Sequence, residues 1–210
     1  METIAMWFKE GGFVMYVILA VGLLGLSVII ERSIVLIHKY NVDARALWGK
    51  VSKLIRDGNA PQAQALCKDS DAPLLRVLHA GIAASDGSER DIQNAIDEVT
   101  LEVMPTINKR LSHLLTIANI ATLIGLLGTV HGLMEAFGAL ANADPSQKAT
   151  ILARGISIVL YATAFGLLVA IPMLGAYAVL QSKAHKIIDD IDEFSVKLIN
   201  LLHSRRKHVV

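Results

Sequence analysis

The 210-residue chain is 53% hydrophobic but only 5% aromatic, so its apolar content comes mainly from Leu, Ile, Val and Ala. That balance is typical of helices in lipid. Its 20 basic and 19 acidic residues give a formal net charge of +1, which argues against a nucleic-acid binder, because such a protein needs a clustered basic face. The single cysteine, Cys67, excludes an internal disulfide framework and a thiolate metal cluster.

The N-terminal part predicts an interfacial segment followed by a transmembrane helix. Residues 1–12 place Trp7 among charged residues, which favours a short amphipathic segment at headgroup depth, with an unstructured leader as the alternative. An apolar run then extends from Phe13 to about Ile30, close to the roughly 20 residues that cross the hydrocarbon core. We therefore predict a first span at residues 13–37. A signal peptide is disfavoured, because the run has neither a basic start nor a small-residue cleavage site.

The polar segment of residues 38–113 predicts several amphipathic helices, broken at glycine and proline positions. Asp91 follows Ser88 by three residues, which indicates a capping box at the start of the last of these helices. Apolar residues recur at helical spacing past Pro105, a candidate kink. We therefore expect this helix to continue into the second span.

Two further apolar segments predict the second span at residues 114–140 and the third at residues 151–180, joined by a short loop at residues 141–150. Residues 181–210 continue an apolar stripe against acidic residues and end in a basic tail. The sequence thus predicts an all-α membrane protein with three transmembrane helices, of which the second and third extend into a cytoplasmic helical bundle.

The distribution of basic residues predicts the orientation. Lys and Arg collect in residues 38–113 and 181–210, whereas residues 1–12 and 141–150 carry one base each. Basic loops stay on the cytoplasmic side. We therefore expect a cytoplasmic C-terminus and an N-terminus on the far side of the membrane. If the source is a Gram-negative bacterium, the far side is the periplasm and the membrane is the bacterial inner (cytoplasmic) membrane.

Small and hydroxyl residues form one face of the second span. Thr122, Gly125, Thr129 and Gly132 are spaced by three, four and three residues, so they share a side of the helix. Such faces allow helices to approach closely in lipid. Helix packing explains the glycines, and the threonines either only pack or also offer oxygen atoms to a polar path.

The third span repeats this pattern with Thr163 and Gly166 on one face, followed by Pro172. Proline lacks an N–H group and commonly bends a membrane helix, so we predict a kink at Pro172. Thr163 either bonds its own preceding turn or presents its oxygen atom to water or an ion.

The three spans contain no acidic or basic residue near their middle. A proton carrier normally uses an intramembrane carboxylate, because a hydroxyl group does not titrate in the working range. If protons pass here, the titrating group is expected on a partner. His131 is the one imidazole inside a span, and its place off the face of Thr122 and Thr129 favours a subunit contact or an outward-facing position over a relay. We find no motif for a metal site, a cofactor or an enzymatic reaction.

The run Ile124–Met134 (IGLLGTVHGLM), with the later segments Gly155–Ser157 and Ala162–Pro172, resembles the signature of the MotA/TolQ/ExbB proton-channel family, in its ExbB/TolQ-like branch. The two motifs stand in the expected order in the second and third spans, and Glu31-Arg32 after the first span is also similar to the family. Many ExbB and TolQ proteins carry a glutamate where this chain has Ile158.

The resemblance implies a homopentameric ring in which the second and third helices line a pore around two copies of an ExbD/TolR-like single-span subunit. That partner would supply a membrane aspartate, and Thr129 and Thr163 would face it. The same pore face would then hold the small residues Thr122, Gly125, Gly132 and Gly166. The chain would then be the stator subunit of a motor driven by protons, or by sodium ions. The motor would act on a TonB/TolA-like or motility effector. The alternative is a passive membrane scaffold that conducts no ion.

Overall fold

The computed structural model describes residues 12–68, 70–141 and 143–209, so the predicted interfacial segment lies almost wholly outside the described residues. All regular structure in this part is helical, as the sequence predicts. The helices are α1 (Gly12–Ser33), a π-helical segment (Ile34–Lys39), α2 (Ala44–Arg56), α3 (Ala60–Lys68), α4 (Pro73–Ala83), α5 (Glu89–Asn108), α6 (Leu111–Ala141) and α7 (Lys148–Val209).

Three long helical stretches are apolar enough to cross a membrane, in agreement with the three predicted spans. The apolar stretches lie in α1, α6 and α7. At most 33% of the most apolar window in each is buried within the chain. Leu24 and Leu127 are each 64% exposed, and Leu168 is 59% exposed. Because so large an exposed apolar surface is unfavourable in water, we expect lipid or other protein chains to cover it.

The chain divides into two compact units. The first comprises residues 12–31 and 110–178 and holds the three spans, and the second comprises residues 32–109 and 179–209. The second unit has its own core, in which the ring of Phe194 packs 5.7 Å from that of Trp48. Cys67 is buried in this unit, and burial raises the pKa of its thiol to about 11, so little reactive thiolate forms at neutral pH.

The capping box predicted at Ser88 is confirmed. The Ser88 hydroxyl accepts a hydrogen bond from the backbone N–H of Asp91 at 3.2 Å, and the Asp91 carboxylate accepts one from the Ser88 N–H at 2.7 Å. This arrangement gives two backbone N–H groups at the start of α5 a side-chain acceptor, and the Asp91 N–H also contacts the Ser88 carbonyl oxygen at 3.0 Å.

The expected continuation of this helix into the second span is wrong. The helix passes through Pro105 but ends at Asn108, and Arg110 adopts a left-handed conformation with φ of 58° before α6 begins. Left-handed backbone cannot continue a right-handed helix. The Arg110 guanidinium forms an ion pair with Glu31.

Arg32 caps the end of α5. Its side chain is only 2% exposed, and its Nη2 atom donates to the carbonyl oxygens of Thr106 at 2.9 Å and Ile107 at 2.7 Å. These carbonyls belong to the last turn of α5, where the helix break removes their usual N–H partners. A cation at a helix C-terminus is also favourable for the helix dipole.

We expect Arg32→Met to destabilise the protein strongly. Each hydrogen bond from a charged donor contributes about 1.5–3 kcal/mol, so losing two of them should cost on the order of 3 kcal/mol or more. The measurement is the unfolding temperature in detergent, followed by tryptophan fluorescence. Exposed Arg90→Met is the control, with an expected change within about 0.5 kcal/mol. Equal unfolding temperatures for the two variants would contradict the capping role.

The third helix confirms the predicted extension beyond the span. Helix α7 is continuous over 62 residues, from Lys148 to Val209, and passes through Pro172 without interruption. The missing N–H of Pro172 leaves one carbonyl of the preceding turn without its helical partner. A bend at Pro172 stays a prediction.

Candidate functional site

The second and third spans approach each other through glycine. A methyl group added at Gly125 would lie 3.2 Å from the carbonyl oxygen of Ala162 and 3.4 Å from the Cα atom of Gly166. One added at Gly166 would lie 3.0 Å from the carbonyl oxygen of Ala121. All of these atoms are backbone, so a side chain at either glycine would push the helices apart. The small-residue faces therefore pack α6 against α7, while their predicted place on a pore face stays a prediction.

The glycine contacts place two of the predicted threonines together. Gly128 meets the side chain of Ala162, and the residues that follow them are Thr129 and Thr163. We call a residue through which α6 and α7 touch a contact residue. The two helices run antiparallel here, so the residue that follows a contact residue in α6 and the one that follows its partner in α7 lie on the same side of the pair and at nearly the same depth. Thr122 follows the contact residue Ala121 and lies on this side too, about 10 Å along α6 from Thr129. We call Thr122, Thr129 and Thr163 the threonine edge.

The hydroxyl groups of the threonine edge donate to their own helices. Thr129 Oγ1 donates to the carbonyl of Leu126 at 2.6 Å, and Thr163 Oγ1 donates to that of Val159 at 3.3 Å. A hydroxyl that donates one bond still has oxygen lone pairs to accept others. Both side chains are half-buried. The threonine edge can therefore accept a hydrogen bond from water or from a protonated carboxyl group, or coordinate a cation.

Charged residues of this hairpin lie on its other side. Glu135 and Arg154 each precede a residue through which the two helices touch, and so does the apolar Ile158. This position turns all three away from the threonine edge. They line a groove of about 250 Å³, formed by Gly132, Glu135, Ala136, Ile151, Arg154, Gly155 and Ile158.

His131 belongs to the same side of the hairpin as this groove. Its Nε2 atom lies 3.5 Å from Oε1 of Glu135, and its side chain is 65% exposed. The imidazole is thus off the threonine edge, as its spacing in the sequence indicates. Ile158 lines this groove from α7, and the Glu135 carboxylate lines it from the facing helix.

One polar residue of the second span was not singled out from the sequence. Asn119 follows Ala118, a buried residue that packs in a cluster with Ala170 and Met173 of α7, and it therefore lies on the side of the threonine edge. Its side chain is exposed. The sequence does contain a signal for this residue, because Asn119 is the single Asn or Gln between residues 114 and 140.

The fold and this site define a three-span helical membrane protein whose second and third spans pack closely and present hydroxyl groups along one edge. The sequence matches the MotA/TolQ/ExbB proton channel family over residues 69–193. The chain belongs to this family, in its ExbB/TolQ-like branch.

Similar proteins carry ExbB and TolQ names. A protein of Methanothermobacter thermautotrophicus, named as a homologue of the biopolymer transport protein ExbB, is 28% identical over 90% of this chain and 67% of its own length. An ExbB-like protein of Synechocystis is 30% identical over 78% of both chains. The Tol-Pal system protein TolQ of Haemophilus influenzae is 39% identical, over 47% of this chain and 42% of its own.

Proposed function

We propose that the chain is the stator subunit of an ion-driven motor in the inner membrane. The observation that carries this proposal is the pairing of Thr129 and Thr163 at one depth and on one side of two spans. These spans hold no Asp, Glu, Lys, Arg or His between His113 and His131 in α6 or between Arg154 and Lys183 in α7. Hydroxyl groups at this depth provide polar contact without a fixed charge, which is far less costly in the membrane.

The titrating group comes from a partner. An ExbD/TolR-like single-span subunit would place an aspartate against the threonine edge. A protonated carboxyl group can donate to Thr129 or Thr163, because the hydroxyl proton of each is already used by its own backbone. Release of the proton leaves a carboxylate, which needs hydrogen-bond donors. The two hydroxyl groups are poor donors to it, because each already donates to its own backbone. The threonine edge would thus favour the neutral form and allow the partner helix to move relative to a pentameric ring.

The proposed setting follows from the basic residues. Residues 32–109 and 181–210 carry most of the Lys and Arg side chains, which favours their location in the cytoplasm. The ion is a proton, with sodium as the alternative, and its flow would energise envelope transport, Tol-type envelope maintenance or motility.

A passive scaffold is the second candidate. The close contact at Gly125 and Gly166 is enough to explain the glycines by packing alone, and each threonine bonds its own helix. A scaffold, however, gives no reason for exposed or half-buried hydroxyl groups to share one side of the hairpin.

The composition of the complex tests the proposal. The tagged chain should be purified from detergent-solubilised membranes and weighed by native mass spectrometry. We expect a pentamer with a pair of copies of a small single-span protein whose membrane segment contains an aspartate. A ring that carries no such partner would favour the scaffold.

A further inference from the structure

Asn119 differs chemically from the residues of the threonine edge. A threonine can satisfy its one donor by bonding its preceding turn, as Thr122 does to the carbonyl of Ala118 at 3.1 Å. An asparagine amide has two N–H donors and a carbonyl acceptor. The backbone of its own helix cannot provide hydrogen-bond partners for all three of these groups. The exposed amide of Asn119 therefore needs hydrogen-bond partners from outside its own helix.

The depth of Asn119 makes lipid an unfavourable surrounding. It lies five residues beyond Leu114, where the predicted second span begins, and this separation is about 8 Å along α6. Half of the hydrocarbon core is roughly 15 Å thick, so Asn119 lies within the half on the Leu111 side. An unsatisfied polar group there costs several kcal/mol, so the amide should face water or protein.

The position of Asn119 favours water on the ion path. It follows a contact residue, as Thr122 and Thr129 do, so its amide continues the threonine edge toward the Leu111 end of α6. Asn119 lies about 15 Å along α6 from Thr129. A hydrated proton or a sodium ion that leaves the threonines on this side needs acceptor oxygens, and the amide carbonyl provides one.

We propose that Asn119 lines a water-filled inner part of the ion path, where its amide binds water and the hydrated cation. This inference rests on the proposed function and extends the site beyond the threonines. The same chemistry would serve a proton or a sodium ion. The amide could instead bond a second copy of this chain, an outcome that the experiments below separate.

Accessibility to water gives the first test. Asn119→Cys is treated in inside-out membrane vesicles with a permanently cationic methanethiosulfonate, which reacts with thiols that face water. Buried Cys67 should give a low background. Leu127→Cys is the control, since that residue is equally part of the span but lies away from the threonine edge. We expect position 119 to react at least tenfold faster, and equal rates would overturn the inference.

Ion flux gives the second test. The complex, purified with its partner and placed in liposomes, is driven by a pH gradient in one series and a sodium gradient in another. We expect Asn119→Leu to reduce flux at least tenfold with the ring intact, and Asn119→Ser to retain most of it, because a hydroxyl group restores polarity. Undiminished flux in Asn119→Leu would refute the inference. The inference would also be refuted if the ring of Asn119→Leu dissociates but each ring that remains conducts normally. That result would assign Asn119 to a contact between copies of the chain.

A parallel Thr163→Val complex separates this inference from the proposed function. Loss of flux in Thr163→Val with normal flux in Asn119→Leu would reject the role of Asn119 alone. Normal flux in Thr163→Val would reject the ion path itself.

Discussion

Replacing Thr163 with valine is expected to abolish most ion-driven activity while leaving the complex assembled. Valine keeps the branched shape of threonine and removes only the hydroxyl group. The loss leaves a partner carboxyl or a water molecule without its acceptor at the depth of Thr129, which costs about 1–3 kcal/mol. Since each 1.36 kcal/mol is a factor of ten in rate, we expect flux to fall about ten- to hundredfold.

The matched control for this variant is Thr116→Val. Thr116 lies in α6, is exposed, and bonds its own helix through the carbonyl of Ser112 at 3.1 Å, as the edge threonines do. It does not follow a contact residue and lies about 120° around α6 from Thr122, so it points away from Thr129 and Thr163. Flux should be measured in liposomes at equal amounts of assembled complex. Equal flux in both variants would remove the pore role of Thr163.

The sequence predicts the spans and helix starts of this protein well, because these features depend on local chemistry. Three apolar runs of membrane length give three helices that are long and apolar enough to span a membrane. Ser88 and Asp91 are three residues apart and form the capping box by themselves. The extension of α7 follows from an apolar stripe that continues past residue 180.

The helix break before the second span depends on distant residues and was therefore missed. Pro105 is the obvious local candidate, yet the helix passes through it and stops at Asn108. The break is stabilised by Arg32, about 75 residues away in the chain, which bonds the carbonyls of Thr106 and Ile107. Arg110 is not a glycine, so its left-handed backbone has no clear signal in the sequence either.

In the candidate site, too, the local spacing was predictable from the sequence but the contacts between helices were not. The spacing of Thr122 and Thr129 places them on one helix face, but their alignment with Thr163 depends on the register between two helices. That register is set by interlocking contacts such as Gly128 with Ala162, which only the packed structure specifies. The register also shows that Asn119 continues the threonine edge, and that Glu135 and Ile158 do not.

Replacing Gly166 with isoleucine is expected to prevent the second and third spans from packing. Its first side-chain carbon alone would lie 3.0 Å from the carbonyl oxygen of Ala121 and 3.2 Å from the Cα atom of Gly125. Neither is the end of a flexible side chain, so the helices must separate. Overpacking of this kind typically costs 1–3 kcal/mol, occasionally more, and branched atoms beyond the first carbon add to it.

We expect the amount of assembled complex to fall at least tenfold in Gly166→Ile and by less in Gly166→Ala, as measured by size-exclusion chromatography of solubilised membranes. Gly175→Ala is the control in the same helix, because a methyl group there meets no atom within 4 Å in the chain. Alanine also favours a helix over glycine by about 1 kcal/mol. Normal assembly of Gly166→Ile would mean that the close approach of α6 and α7 is dispensable. The alignment of Thr129 with Thr163 would then lose its structural basis, since the same glycine contacts set both.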